Sequence, residues 1–131
     1  MKIALGLGCD RGTPAATIAL CISEALAACG ASLSDVWAVA SIDLKANESG
    51  LLHVIEENGW PCLFYSATAL AAVDVPNPSK TVLKYTGTPS VSEASALLAA
   101  NADQSHLILE KHKLRGPDGR NATVSIARIT P

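Results

Sequence analysis

The segment Gly6–Pro14 constrains the fold of this chain more than any other stretch. It follows the apolar run Ile3–Leu5 and precedes the clearest helical pattern in the sequence, so it predicts a strand, a tight loop and a helix. Thr13 is a suitable N-cap, and Pro14 would occupy the first helical position, where its missing N–H does no harm. The glycine spacing matches neither a dinucleotide-binding fingerprint nor a P-loop. The segment is therefore consistent with an ordinary turn as well as with an anion-binding loop.

Strand and helix patterns alternate through the next part of the chain. The apolar runs Val36–Ile42 and Cys62–Tyr65 predict buried parallel strands, and we expect the first of them, with Ile3–Gly8, to lie inside the sheet. Apolar residues at helical spacing follow each strand. Ser90 and Glu93 have the spacing of a capping box. The predicted N-caps of the later helices are Asn47, Ser66, Ser79 and Ser90.

The C-terminal part of the chain has a different pattern. His106–His112 and Asn121–Ile129 predict two strands, and Gly116–Gly119 predicts the turn between them. The whole pattern predicts a three-layer α/β/α domain with a mixed, mainly parallel five-stranded sheet and an antiparallel C-terminal strand pair. We expect residues 1–131 to form a single domain, because chains of this length usually do.

Composition and charge argue against several classes of function. A net charge of −2 without a basic block argues against nucleic-acid binding. The apolar runs are too short for a membrane span or a secretion signal, so we expect no membrane partner and a cytoplasmic location. No C-x-x-C pair is present, and we expect neither a metal nor another cofactor. The cysteines, of which only the first lies in a candidate functional loop, are Cys9, Cys21, Cys29 and Cys62.

The carboxyl ends of the parallel strands are the expected place for a ligand. The loops at that edge mostly end at helix N-termini, whose unpaired N–H groups favour anions, and Arg11 and Lys45 add positive charge. This edge therefore suits a ligand with several carboxylates or phosphates. The candidate ligand-binding residues are Gly8, Cys9, Arg11, Thr13, Ser66, Ser79 and Ser90.

Lys45, Glu48 and Glu93 are the candidate catalytic acids or bases. Each of them also has a structural interpretation. Lys45 and Glu48 have the spacing of a solvated ion pair on a helix, and Glu93 is the distal half of the capping box. The serines can also be explained as N-caps, and the thiol of Cys9 as a reduced structural group. No G-x-S-x-G motif is present, so no pattern identifies a nucleophile.

Five segments carry a resemblance to a known family, in order and over essentially the whole chain. They are Gly6–Thr13, Ala40–Glu48, Phe64–Ala67, Gly87–Ala94 and Thr123–Arg128. These segments resemble the CobE/CbiG C-terminal family of cobalamin biosynthesis. The resemblance implies a cytoplasmic protein that binds or acts on a corrin-ring intermediate, of the precorrin or hydrogenobyrinic type. It also implies other enzymes of the cobalamin pathway as candidate protein partners.

The resemblance leaves the type of activity open. Longer members of the family resemble this chain only in their last domain, and they hydrolyse cobalt-precorrin-5A and release acetaldehyde. This chain begins at the first strand, so we expect it to lack their preceding domain. A binding or carrier role and a hydrolase-like role on the same intermediate therefore remain alternatives. Outside the family, the alternative is an anion-binding module for a phosphate or a nucleotide.

Overall fold

Three strand–helix units come first, and two more helices and then two strands follow, in a computed structural model that describes residues 1–130. The strands are β1 Ile3–Cys9, β2 Val36–Ile42, β3 Cys62–Tyr65, β4 Leu107–Arg115 and β5 Asn121–Arg128. The helices are α1 Ala15–Ala28, α2 Ser49–Asn58, α3 Ala67–Ala71, α4 Lys80–Thr86 and α5 Ser92–Ala100. Short 3-10 helices occupy Leu33–Asp35, Asp43–Lys45 and Gln104–His106. The predicted succession of elements is confirmed.

All five strands belong to one sheet, in the order β3-β2-β1-β5-β4. β1 pairs in parallel with β2, and β2 with β3, whereas β5 runs antiparallel to both of its neighbours. The predicted mixed sheet, with β1 and β2 inside it, is therefore confirmed. The central position of β1 follows from its sequence, because every residue from Ile3 to Leu7 is apolar or glycine and is buried.

Helices cover both faces of the sheet, which gives the predicted three layers. Side chains of β1 alternate between the faces. Leu5 and Leu7 belong to the core that α1 and α2 share, together with Ile22 of α1. Ala4 belongs to the opposite core, under Leu97 of α5. No helix within residues 1–130 has the length and apolar character needed to cross a membrane.

Gly6 allows α5 to lie very close to β1. A Cβ atom at this position would overlap the carbonyl oxygen of Ser92 and would lie 2.7 Å from the backbone nitrogen of Ala96. Beside this contact, a hydrogen bond of 2.9 Å joins the hydroxyl of Ser92 to that of Ser125, the β5 residue paired with Gly6. A backbone-to-backbone approach of this kind leaves no space for a side chain.

The predicted N-caps Thr13 and Asn47 are wrong. The N-cap of α1 is Pro14 and that of α2 is Glu48, and neither helix has a side-chain cap. The hydroxyl of Thr13 donates instead to the carbonyl oxygen of Asp10 at 2.7 Å. The Oδ1 atom of Asn47 accepts a hydrogen bond from the guanidinium of Arg11, in the loop after β1. Both side chains therefore bind loop residues and leave the helix ends free.

The predicted capping box of Ser90 and Glu93 is also wrong. The N-cap of α5 is Val91, and the Ser90 hydroxyl accepts a hydrogen bond from the N–H of Ala94 at 3.4 Å. Glu93 does not turn back to Ser90, because its carboxylate accepts a hydrogen bond from a side chain before α4. The remaining predicted caps are confirmed, with hydrogen bonds of 3.1 and 3.2 Å, at Ser66 and Ser79.

Replacement of Gly6 tests the close approach of α5 to β1. We expect Gly6→Ala to lower the free energy of unfolding by about 3 kcal/mol, because backbone atoms must move to admit the new methyl group. Gly30→Ala is the matched control, since Gly30 has open space around it and only a positive φ of 69°. It should cost about 1 kcal/mol. Urea denaturation measures both, and equal costs would contradict the close approach.

Candidate functional site

The loops that follow β1 and β2 meet around the carboxylate of Glu48. Its Oε1 atom accepts a hydrogen bond of 3.0 Å from the backbone N–H of Gly12. Its Oε2 atom lies 3.1 Å from Nε of Arg11 and 3.6 Å from Nζ of Lys45, as ionic contacts without an aligned hydrogen bond. We call Arg11, Gly12, Lys45 and Glu48 the Glu48 cluster. The cluster contains two cations and one carboxylate.

Arg11 joins the two loops through neutral groups as well. Its guanidinium donates to Oδ1 of Asn47 at 3.0 Å and to the carbonyl oxygen of Leu44 at 3.2 Å. The interpretation of Lys45 and Glu48 as a solvated pair is wrong, since their side chains are 15% and 5% exposed. The Arg11 side chain remains 63% exposed and open to a ligand.

Two helix N-termini lie beside the Glu48 cluster. Gly50, in the first turn of α2, is so close to the first loop that a Cβ atom would overlap the Thr13 carbonyl oxygen and lie 3.0 Å from the nitrogen of Ala15. Because α1 and α2 lack side-chain caps, no side chain occupies their first N–H groups. Each helix N-terminus carries about half a unit of positive charge. The edge therefore offers unpaired N–H groups beside Arg11 and Lys45, although Asp10 and Asp43 in the same loops carry negative charge.

Cys9, at the end of β1, is a partly buried free thiol, and its role in ligand binding stays a prediction. Burial raises its pKa to about 11, although the nearby Lys45 ammonium acts in the opposite direction. The thiol is therefore protonated at neutral pH and is a weak nucleophile. Burial likewise raises the pKa of Cys21 to about 12 and that of Cys62 to about 11.

Gly8 contacts β5 from within β1, and Thr13 contacts it from the loop after β1. A Cβ atom at Gly8 would lie 2.6 Å from Oγ1 of Thr123. The Thr13 hydroxyl lies 3.3 Å from the carbonyl oxygen of Asn121, and the carboxylate of Asp10 accepts the backbone N–H of the same asparagine at 2.8 Å. These contacts explain both residues structurally, and their role in ligand binding stays a prediction.

Glu93 is the second buried carboxylate of the molecule, in the first turn of α5. Its Oε2 atom accepts a hydrogen bond from Nδ2 of Asn77 at 2.7 Å, and the same nitrogen lies 3.2 Å from Oε1 of Glu110. The Oε1 atom of Glu93 is buried and has no hydrogen-bond partner. Buried polar atoms are nearly always paired, so this oxygen is a free acceptor for a ligand or a water molecule.

The three candidate serines differ in their availability. Ser66 is exposed at the end of β3 and caps α3. The backbone N–H of Ser79 donates to the carbonyl oxygen of Pro89 at 2.8 Å, and Ser90 is buried. Of these three, Ser66 is the one most accessible to a ligand at this edge.

The structure thus brings together only part of the predicted site. Arg11, Lys45 and Glu48 form one cluster, with Cys9 near its lysine. Glu93 makes its contacts with a different set of side chains. Sequence reasoning missed Asn77 as a partner of Glu93, although its position between two prolines was a signal for a rigid, extended segment.

Two cavities lie away from the Glu48 cluster. One, of about 480 Å³, is lined by Val73, Asp74 and residues 102–105, beyond the C-terminal end of α5. The other, of about 440 Å³, is a groove between α1 and α2 whose lining includes Leu26 and Trp60. Neither contains a candidate site residue. Within residues 1–130, no group of three or more His, Cys, Asp or Glu side chains is arranged to hold a metal ion.

Comparison with known proteins finds relatives along the whole chain. Residues 3–127 match the family described as cobalamin synthesis G C-terminus. A protein named cobalt-precorrin-5A hydrolase, from Priestia megaterium, is 40% identical over 127 residues, which cover 97% of this chain and 32% of that protein. A protein named CobE, from Sinorhizobium sp, is 38% identical over 111 residues, which cover 83% of this chain and 71% of that protein.

A solved structure has a similar fold. The crystal structure of CobE, a protein from the cobalamin (vitamin B12) biosynthetic pathway, matches with a TM-score of 0.80 and 31% sequence identity. The match covers 98% of this chain and 91% of that one. This chain therefore spans nearly all of the solved CobE chain, but it spans only 32% of the hydrolase.

Removal of the charge on Glu48 tests its role in joining the loops. We expect Glu48→Gln to lower the free energy of unfolding by about 2 kcal/mol, because Arg11 and Lys45 lose their shared counter-charge. Glu57→Gln is the matched control, since Glu57 pairs with His53 at 2.9 Å on the surface. It should change stability by less than about 0.5 kcal/mol. Equal effects in thermal or urea denaturation would show that burial of Glu48 contributes nothing.

Alkylation by iodoacetamide tests the state of Cys9. Since burial raises the thiol pKa from 9.0 to about 11, reaction of the native protein should be slow at pH 8 and should accelerate as the pH rises toward 11. The unfolded chain loses this proton at lower pH than the folded protein, so this thiol should make stability fall as the pH rises above about 9. Peptide mass spectrometry follows Cys9 directly. Rapid alkylation of native Cys9 at pH 7 would contradict the interpretation of Cys9 as a buried, unreactive thiol.

Proposed function

This chain belongs to the cobalamin synthesis G C-terminus family, and we propose that it binds a precorrin-type corrin intermediate of cobalamin biosynthesis at the edge formed by the Glu48 cluster. The observation that carries this proposal is the exposed Arg11 guanidinium beside the N-termini of α1 and α2. Arg11 and Lys45 share the carboxylate of Glu48, and the Arg11 side chain stays 63% exposed at this edge.

The chemistry of the proposed ligand matches this edge. Precorrins carry acetate and propionate arms around the ring, and each charge-assisted hydrogen bond to such an arm contributes about 1.5–3 kcal/mol. Arg11 is the most accessible donor of the cluster. Leu44, next to Lys45, is 49% exposed and offers apolar surface to the ring. We place this binding in the cytoplasm, with the enzymes that make or use the intermediate as protein partners.

A hydrolase-like activity on the same intermediate is the second candidate. It is supported by the 40% identity to a protein named cobalt-precorrin-5A hydrolase, and by the unpartnered Oε1 atom of Glu93. A carboxylate with a free oxygen can accept a proton from an attacking water molecule. Glu48 is less suited to this role, because both of its oxygens already contact donors. Lys45 remains the third candidate, as a proton donor beside the ligand arms.

Turnover separates the two candidates. The purified protein is incubated with cobalt-precorrin-5A, and release of acetaldehyde is measured with an aldehyde-specific reagent. Product formation that disappears in Glu93→Gln supports the hydrolase. Tight binding without acetaldehyde release supports a binding or carrier role.

A titration with hydrogenobyrinic acid, followed by its visible spectrum, tests the proposed site. We expect Arg11→Ala and Lys45→Ala each to raise the Kd about tenfold, because each loses a charge-assisted bond to a carboxylate arm. Lys113→Ala is the control, since Lys113 is exposed on β4. Added salt should weaken wild-type binding more than binding by either cluster variant.

Two outcomes would contradict this proposal. One is a wild-type protein whose titration leaves the spectrum unchanged. The other is equal affinity of the wild type and both cluster variants at low and high salt. Displacement of the tetrapyrrole by millimolar inorganic phosphate would favour a phosphate-binding module instead.

A further inference from the structure

Helix α4 lies on the surface of the fold. None of its residues is buried, and Leu83 and Tyr85 are 48% and 73% exposed. The residues on either side are anchored, because the N–H of Ser79 donates to the carbonyl oxygen of Pro89 at 2.8 Å and Thr88 is fully buried. The segments on either side of α4 are therefore held in place, while the surface of α4 itself is available to another molecule.

The surface of α4 is both cationic and apolar. The stretch Val75–Val91 contains two lysines and no acidic residue, in a chain whose net charge is −2. Lys80 and Lys84 are exposed and stand one helical turn apart, so they share a side of the helix. Neither pairs with a carboxylate within residues 1–130. The Nζ atom of Lys84 lies 5.6 Å from the centroid of the Tyr85 ring.

The C-terminal end of α4 lies at the same sheet edge as the Glu48 cluster. A Cβ atom at Gly87, which ends α4, would lie 3.4 Å from Cβ of Ala67. Ala67 follows β3, and Tyr65 at the end of β3 is paired in register with Ile42 at the end of β2. The 3-10 helix that contains Lys45 follows Ile42 directly. Lys45 and the C-terminal end of α4 therefore lie at the same sheet edge, with the end of β3 between them.

We propose that the exposed surface of α4 is the second half of the ligand site. Lys80 and Lys84 bind carboxylate arms of the tetrapyrrole, and the Tyr85 ring, which lies beside the Lys84 ammonium, contacts its macrocycle. This inference rests on the proposed function and extends it to residues outside the Glu48 cluster. A ring with carboxylate arms fits this surface, because its arms pair with the two lysines and its macrocycle covers the exposed aromatic side chain beside them.

Binding by α4 variants tests this inference. In the titration with hydrogenobyrinic acid, we expect Lys84→Ala and Tyr85→Ala each to raise the Kd about three- to tenfold. Both variants should fold normally, because α4 contributes no buried residue. Lys113→Ala and Leu20→Ala are the matched controls, as an exposed lysine and an exposed leucine elsewhere, and their Kd should equal that of the wild type.

Limited digestion with trypsin gives a second, independent measurement. Saturating hydrogenobyrinic acid should slow cleavage after Lys80 and Lys84 in the wild type by about fivefold or more, since a covered segment opens less often. Cleavage after Arg115, at the end of β4, should be unaffected. Equal protection by poly-glutamate would show a general affinity for polyanions and would overturn the assignment to a tetrapyrrole.

The outcomes distinguish this inference from the proposed function. Absence of binding by the wild type would contradict the proposed function and this inference with it. Binding that depends on Lys45 but is unchanged in Lys84→Ala and Tyr85→Ala, without protection of α4 from trypsin, would overturn this inference alone.

Discussion

The buried carboxylate of Glu48 is the constraint on which the candidate site depends. A carboxylate that is only 4% exposed is stable only where donors and cations replace its lost water. The N–H of Gly12 and the side chains of Arg11 and Lys45 supply that replacement. They hold the loops after β1 and β2 against each other. The same pairing leaves the Arg11 side chain 63% exposed, so a residue that joins the loops also presents a hydrogen-bond donor to anions at this edge.

Local sequence patterns were sufficient to predict the strands and helices, because those depend on the spacing of apolar residues and on turn signals. They were not sufficient to predict where polar side chains go. Thr13, Asn47 and Glu93 were each assigned to the nearest helix end. Thr13 instead binds Asp10 in its own loop, whereas Asn47 and Glu93 contact residues 36 and 16 positions away. Such partners are set by the packing of loops and helices, which no local pattern contains.

The two buried carboxylates differ in how many of their oxygens have partners. Both oxygens of Glu48 have donors or cations close by, so Glu48 positions the cationic side chains around it. Glu93 keeps one oxygen free, which leaves it available for a proton or a ligand donor. From the sequence alone, both were candidate acids or bases, because burial and hydrogen-bond partners are properties of the folded chain. Helix α4 adds cations and apolar surface to the same edge.

A crystal structure of the protein with hydrogenobyrinic acid bound, grown at low salt, tests the central claim most directly. The account predicts a carboxylate arm of the ligand within about 3.2 Å of the Arg11 guanidinium or the Lys45 ammonium. It also predicts that the ring lies over the edge where α1 and α2 begin. A ring seated in the groove between α1 and α2, or in the cavity beside Val73 and Asp74, with no ligand atom near the Glu48 cluster, would contradict it.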